Sequence, residues 1–353
     1  MKKLKWNKLH ILKKYLNSSN IPNSNDKIAY EEMIKNCVLK HGNYNYDENY
    51  HSDKFQFKNN IKTIKELSEF QKETLKKFLN NTCNDKFLKL QDNINYKNNF
   101  NYIKHTFMFV NKVNPEFKKE LKKAGKKQKI YVDNVKKQNG LYGLFYPYDY
   151  DGNYYYVKNH NKGDTFISLN HELGHGMSNK LCNESKTPMY DEALSILIEL
   201  LANDYEHQKK LIDDKTYIKN YNNTYLFYVY ESFYESLFTF NLIENDNSSK
   251  INLKKYKDEF IKNNEVKNFK CKDILSCDLE YNLTYMYSFL VAVSVYENYK
   301  NNPRKAIEVM LDILRNVKNK EREIFDYYNI DINNSINKYL DNNINMQMKK
   351  KMK

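Results

Sequence analysis

The chain has 353 residues and a hydrophobic content of 41%, which excludes a wholly disordered protein and supports one large domain or two lobes. Its net charge of +14 would suit a polyanionic partner, but the lysines are scattered along the chain, so we predict no specific nucleic-acid partner. The five cysteines contain no C-x-x-C pair and no apolar run reaches the about 18 residues of a membrane span, so we expect a soluble, cytoplasmic protein without a disulfide framework.

Residues 1–125 are predicted to form an N-terminal helical region. Apolar residues recur there at helical spacing, as in Ile61, Ile64, Leu67, Phe70 and again in Phe100, Ile103, Phe107. The histidines of this region are isolated, and nothing in it has a catalytic spacing. We therefore interpret it as a reduced helical lobe without catalytic groups.

The pattern changes after residue 129 to three short aromatic and β-branched runs, at 130–132, 141–146 and 154–157. Asn139-Gly140 and Asp151-Gly152 separate these runs, which predicts a small antiparallel sheet. The sheet precedes the chain's strongest motif, so one edge could hold an extended peptide by main-chain hydrogen bonds. An aromatic core sheet without ligand contact is an equally good interpretation.

His171-Glu172-Leu173-Gly174-His175 is an H-E-x-x-H motif. Positions i and i+4 of a helix lie on one face, so the two imidazoles can bind one metal ion, while Glu172 faces a water on that ion as general base. Asp164 is a candidate N-cap for a helix that begins at Thr165. This spacing indicates one Zn²⁺ per chain; the alternative is a structural helix that carries two histidines.

Gly174 and Gly176 would lie in the middle of this helix, where each costs about 1 kcal/mol relative to alanine. Something must therefore require the missing side chains. We expect a metal ion or a substrate backbone to approach the helix closely at this point.

A catalytic zinc ion usually has three protein ligands and an open position, so a third ligand is needed. The metzincin spacing fails because Ser178 and Leu181 occupy its glycine and histidine positions. A second helix is predicted from Met189 to His207, and Glu192 near its start is the favoured third ligand.

Ser195 and Glu199 follow Glu192 at i+3 and i+7, on the same face of an otherwise apolar helix. Such buried polar groups need partners, so we expect both to hydrogen-bond to the metal ligands from behind. Glu199 is the main rival as the third ligand itself, and Asp191 and Glu184 are weaker rivals.

Tyr281, Tyr285 and Tyr287 are candidate hydrogen-bond donors to a developing oxyanion, with Tyr287 preferred. The chain contains 32 tyrosines, so an aromatic stripe in the core is a strong alternative explanation.

The chain resembles the thimet-oligopeptidase and oligoendopeptidase-F group of zinc peptidases over residues 125–345. H-E-L-G-H at 171–175 followed by E-x-x-S-x-x-x-E at 192–199 carries the resemblance. It continues in G-L-Y-G at 140–143, Y-Y-Y-V-K-N at 154–159, Y-M-Y-S-F at 285–289 and Y-N-I-D at 328–331. It implies a mainly α-helical zincin-like fold with a substrate cleft and a zinc ion on His171, His175 and Glu192. It further implies substrate contacts at Gly140, Gly143, Tyr154, Tyr155 and Tyr156.

The chain departs from this group at three places. The connection from His171 to Glu192 is shorter than usual, and Leu275 with its neighbours stands where the group has a histidine. The N-terminal half is also reduced, so the deep channel of the group is not implied here.

We therefore predict an N-terminal region at 1–125, a catalytic domain at 126–345 and a basic tail at 346–353. The predicted activity is zinc-dependent endopeptidase cleavage of short peptides, in which Glu172 is the base. Two alternatives stay open: a related metallocarboxypeptidase, and a catalytically inactive protein that binds peptides or polyanions.

Overall fold

The computed structural model describes residues 53–81, 101–126, 130–133, 143–146, 153–158, 162–182, 187–244 and 279–351. Gly140, the two predicted glycine turns, Glu184 and Leu275 lie outside these ranges. All statements below concern the described residues.

Four helices form the described part of the N-terminal region. They are α1 (Asp53–Glu66), α2 (Glu69–Asn81), α3 (Tyr102–Val113) and α4 (Pro115–Lys126). In α3 the side chain of Asn101 accepts a hydrogen bond from the Lys104 amide, and the apolar residues Ile103, Phe109 and Val110 are buried. Both α3 and α4 pack against the helix of the H-E-x-x-H motif. The predicted boundary at residue 125 thus separates elements that share one core.

Three strands form a mixed sheet of order β1-β3-β2: β1 (Ile130–Asp133), β2 (Gly143–Tyr146) and β3 (Tyr154–Lys158). β2 pairs with β3 antiparallel, but β1 pairs with β3 in parallel, from Ile130 opposite Tyr155 to Asp133 opposite Lys158. The predicted all-antiparallel sheet is therefore corrected. Turn residues indicate where a strand ends and carry no information about which neighbour it joins.

The motif lies on α5 (Lys162–Cys182). The helix begins at Lys162, so Asp164 is inside its first turn and is not the N-cap that we predicted. Phe166, Leu169, Leu173 and Met177 recur every three or four residues and are fully buried, because they face α6 and the N-terminal helices.

The remaining elements are helical. They are a 3₁₀ turn (Pro188–Tyr190), α6 (Ala193–Gln208), α7 (Asp214–Tyr225), a π-helical turn (Leu226–Tyr230), α8 (Glu231–Glu244), α9 (Leu279–Tyr299), α10 (Pro303–Tyr327) and α11 (Ile332–Lys351). The predicted mainly helical fold is confirmed. Residues 346–351 of the predicted basic tail belong to α11, which continues to Lys351.

The core is centred on α9, which packs against α6, α8, α10 and α11. Every residue from Met286 to Tyr296 is buried, as expected for a helix that is apolar all round. No helix among the described residues is both long enough and apolar enough to cross a membrane.

Candidate metal centre

His171 and His175 lie one turn apart on α5 and turn their imidazoles towards the same point. Their Nε2 atoms are 3.0 Å apart, and the ring planes are at 76° to each other. Both side chains are partly accessible, whereas Leu173 between them is buried in the core. The i, i+4 spacing thus produces a pair of nitrogen donors at the surface of the helix.

Glu192 brings a carboxylate oxygen to the same point from the residue that precedes α6. Its Oε2 lies 3.3 Å from Nε2 of His171 and 3.1 Å from Nε2 of His175. Both imidazoles oppose the effect of burial, so the pKa of Glu192 lies well below its ordinary value. Within the described chain, these three residues are the one set of histidine, cysteine and acidic side chains found close enough together to hold a metal ion.

The distances within this set fit a tetrahedral metal site. Ligand bonds of about 2.0–2.1 Å at tetrahedral angles place ligand atoms about 3.3 Å apart, and the observed separations are 3.0, 3.1 and 3.3 Å. Glu192 Oε2 is also buried, and within the described chain it has no hydrogen bond of good geometry beyond its contacts with the two imidazoles. A buried carboxylate oxygen in that state is costly unless a cation satisfies it.

Glu172 is buried beside the three ligands and is not one of them. Burial raises its pKa to about 7; the imidazoles of His171 and His175 lower it, and the carboxylates of Glu192 and Glu199 raise it further. A carboxylate with a pKa near neutrality can both accept and return a proton at physiological pH.

Glu199 lies behind His171. Its Oε1 is 2.8 Å from Nδ1 of His171 and accepts a hydrogen bond of 2.9 Å from the hydroxyl of Tyr228. Nδ1 is the nitrogen turned away from Glu192, so Glu199 is placed to fix the tautomer and the ring orientation of His171. Our sequence reasoning missed Tyr228, because its approach depends on the π-helical turn at 226–230.

Ser288 holds the backbone at Glu192. Its hydroxyl accepts a hydrogen bond of 3.3 Å from the Glu192 amide and donates one of 2.9 Å to the Met189 carbonyl. The Y-x-Y-S segment of α9 is thus tied to the turn that carries the third ligand.

Tyr287 is fully buried and does not face the ligands, in contrast to our first choice for the oxyanion donor. Its hydroxyl lies 3.3 Å from that of Tyr190 and donates to Glu321 Oε1 at 3.3 Å. Glu321 also accepts hydrogen bonds from Tyr190, Gln71 and Ser68. These contacts connect α10, α9, the 3₁₀ turn and the start of α2, so Tyr287 has a role in packing.

Tyr285, two residues earlier, faces the site. Burial, followed by the Glu192 carboxylate and Tyr281, raises the pKa of its phenol, which stays protonated at neutral pH. Tyr281 lies one turn away with its ring centroid 4.6 Å from that of Tyr285 and is 41% exposed.

Protein atoms lie against the two motif glycines, where we had expected a metal ion or a substrate. A Cβ on Gly174 would lie 2.8 Å from the Cα of Ser195, and one on Gly176 would overlap the hydroxyl of Tyr155. Ser195 is buried at the crossing of α5 and α6, and its hydroxyl bonds to no described residue. The predicted contact between Ser195 and a metal ligand is therefore wrong.

Gly176→Ala is expected to destabilise the fold by about 1–3 kcal/mol, the usual cost of overpacking, partly offset by the higher helix propensity of alanine. Tyr155 cannot move freely, because it is 1% exposed and its hydroxyl donates to Glu120 of α4 at 3.1 Å. Urea unfolding of the purified variants measures the change.

The matched control is Tyr155→Phe, which removes the oxygen that the new methyl group would meet. In a double-mutant cycle the second substitution should restore part of the stability lost in Gly176→Ala. Strictly additive effects would contradict the proposed contact.

The substrate-facing strand that we predicted, β3, is the central strand of the sheet, and both its edges are paired. Tyr155 and Tyr156 are buried, and the side chain of Tyr154 lies outside the described set. The strand beside the ligands with one unpaired edge in the described sheet is β2. Its Phe145 stacks on His175 at 6.2 Å between ring centroids, and Gly143 begins the strand.

No protein-family model and no curated protein matches the sequence. The structure, however, is similar to solved structures, among them the following two. A Bacillus anthracis protein assigned to oligoendopeptidase F has a TM-score of 0.50 and 16% identity, over 92% of this chain and 64% of its own. A second protein with the same assignment has a TM-score of 0.53 and 12% identity, over 96% of this chain and 70% of its own.

The first of these proteins is considerably longer, so this chain spans under two thirds of its length. At such low identity the comparison concerns the fold alone. The resemblance to the oligoendopeptidase-F group is confirmed at that level: this chain has the fold of those peptidases.

Proposed function

We propose that this protein is a zinc-dependent endopeptidase that cleaves short peptides in the cytoplasm. One observation carries the proposal: Nε2 of His171, Nε2 of His175 and Oε2 of Glu192 converge within 3.0–3.3 Å of one another beside a buried glutamate. Two nitrogen donors and one carboxylate with an open position is the ligand set of a catalytic zinc ion. The fold of oligoendopeptidases supports this assignment.

Zinc bound there would polarise the scissile carbonyl and lower the pKa of a water molecule towards about 7. Glu172 accepts the proton from the attacking water and later passes it to the leaving amine. Glu199 holds His171 through Nδ1, so that its Nε2 would be directed at a metal ion bound there. Tyr285, neutral and beside Glu192, replaces Tyr287 as the proposed hydrogen-bond donor to the oxyanion.

The extended peptide is proposed to lie along the outer edge of β2. This strand packs against α5 and presents Phe145 to His175. An added strand would hydrogen-bond to the main-chain groups on the edge of β2 that no described strand pairs with. This position replaces the predicted substrate position on β3, because both edges of β3 are paired.

A chelator experiment tests the proposed function. Internally quenched peptides with blocked N- and C-termini should be cleaved by the purified protein, lose cleavage in 1,10-phenanthroline, and regain it with stoichiometric Zn²⁺. Mass spectrometry of the products locates the cleaved bonds.

The controls separate the remaining alternatives. Cleavage restricted to peptides with a free C-terminus would show a carboxypeptidase. Zinc bound at one ion per chain without cleavage of any peptide would show a binding protein on a peptidase scaffold. Cleavage that survives complete removal of metal would refute the metal mechanism.

A further inference from the structure

Two exposed aromatic side chains belong to a cluster beside the metal centre. The exposed large hydrophobic side chains of the described chain are Met108, Phe227, Tyr281 and Tyr327. Phe227 is 62% exposed and Tyr281 is 41% exposed, and these two belong to one cluster. Single exposed apolar residues need no explanation, but exposed rings that are joined through other aromatic rings to a polar site are a candidate binding surface.

The cluster consists of Phe227, Tyr228, Tyr281 and Tyr285. The ring centroids of Tyr281 and Tyr285 are 4.6 Å apart, those of Tyr285 and Tyr228 are 5.8 Å apart with ring planes at 10°, and those of Tyr228 and Phe227 are 5.0 Å apart. Successive rings are thus in contact from one exposed end to the other.

One inner ring is held by an acidic residue of the metal centre, because the hydroxyl of Tyr228 donates a hydrogen bond of 2.9 Å to Glu199. The other inner ring, Tyr285, stacks on Tyr228. The inner part of the cluster therefore lies at the metal centre, and its two ends, Phe227 and Tyr281, lie at the surface.

The backbone supports this arrangement. Phe227 and Tyr228 lie on the π-helical turn Leu226–Tyr230, between α7 and α8. The two side chains point in different directions: Tyr228 donates a hydrogen bond to Glu199, whereas Phe227 is exposed to solvent. π-Helical turns interrupt the regular helical hydrogen bonds and are frequent at functional sites.

We propose that Phe227 and Tyr281 line a subsite for an aromatic or large aliphatic side chain of the peptide substrate, next to the cleaved bond. This inference rests on the proposed function. Ring faces and edges favour an apolar side chain, while Glu192 and Glu199 beneath the inner tyrosines disfavour an acidic one.

The kinetic test uses peptides that differ at one position on either side of the cleaved bond, with Phe, Leu, Ala, Lys or Asp there. The wild type should have a higher kcat/KM for Phe and Leu than for Ala. Phe227→Ala should reduce the Phe-to-Ala ratio of kcat/KM by about tenfold, since a phenyl ring loses much of its buried contact area.

The matched control is Tyr327→Ala. Tyr327 is 77% exposed at the end of α10 and pairs with Tyr328, outside the cluster. This variant should keep the wild-type Phe-to-Ala ratio. A Phe227→Ala variant with the wild-type ratio would overturn the subsite, as would a wild type that prefers Lys or Asp.

A binding measurement keeps this result distinct from failure of the proposed function. Fluorescence anisotropy with labelled Phe and Ala peptides on zinc-loaded Glu172→Gln protein needs no turnover. Tighter binding of the Phe peptide, abolished by adding Phe227→Ala, supports the subsite even if the wild type cleaves nothing. Equal binding of both peptides, or binding of neither, overturns it.

Discussion

Glu172→Gln is expected to reduce kcat for peptide cleavage by about 10²–10⁴-fold, the usual contribution of a general base, while zinc content and fold are retained. Glutamine has nearly the same size as glutamate, but its amide cannot accept the proton of the attacking water. The ligand set does not include Glu172, so the metal should stay bound. Quenched-peptide kinetics, zinc stoichiometry by mass spectrometry and circular dichroism measure the three properties.

The matched control is Glu308→Gln, which makes the same chemical change at an exposed position of α10. It should leave kcat within about twofold of the wild type, because surface substitutions away from such a site have small effects. Full activity in Glu172→Gln would remove Glu172 as the base. Loss of zinc together with activity would instead identify it as part of the metal site.

The pH dependence of stability tests the burial of Glu172 independently of activity. Burial raises the pKa of Glu172 from 4.5 to about 7 in the folded chain. The unfolded chain releases this proton at lower pH than the folded chain does. The free energy of unfolding of the metal-free protein therefore decreases as the pH rises from 4.5 towards 7. Metal-free Glu172→Gln is therefore expected to be at least as stable as the wild type at pH 8, which urea unfolding measures.

The sequence predicted the parts of the site that follow from spacing along one helix. His171 and His175 share a face because four residues make nearly one turn, and Glu192 and Glu199 share a face because seven make nearly two. Glu192 lies at both Nε2 atoms and Glu199 lies at Nδ1 of His171, which are the positions that a third ligand and a partner behind the histidine would occupy.

The sequence could not predict features that depend on packing between elements. The apolar stretch of α9 is buried all round, so its periodicity does not show whether Tyr285 or Tyr287 faces the ligands. The reason for Gly176 lies in Tyr155, twenty-one positions earlier, and becomes visible only when β3 is placed on α5. The contact of Tyr228 with Glu199 likewise depends on a π turn that has no sequence signature.

Glu192→Ala is expected to weaken zinc binding by more than about 100-fold and to abolish cleavage. Partners behind a metal ligand contribute about 10- to 100-fold to affinity, and a direct ligand must contribute more. The structure makes a graded comparison possible, because Glu192 meets both imidazoles, Glu199 meets only His171, and Tyr228 meets only Glu199.

We expect the zinc dissociation constant to increase most in Glu192→Ala, by about 10- to 100-fold in Glu199→Gln, and least in Tyr228→Phe. Competition with a chromogenic chelator measures all three, with Glu308→Gln as the control. Glu199 was the main rival for the third ligand, and this series decides between the two carboxylates. If Glu199→Gln lost more affinity than Glu192→Ala, Glu199 would be the ligand and Glu192 its support. Since Oε2 of Glu192 contacts the two Nε2 atoms that face each other, we expect the first order.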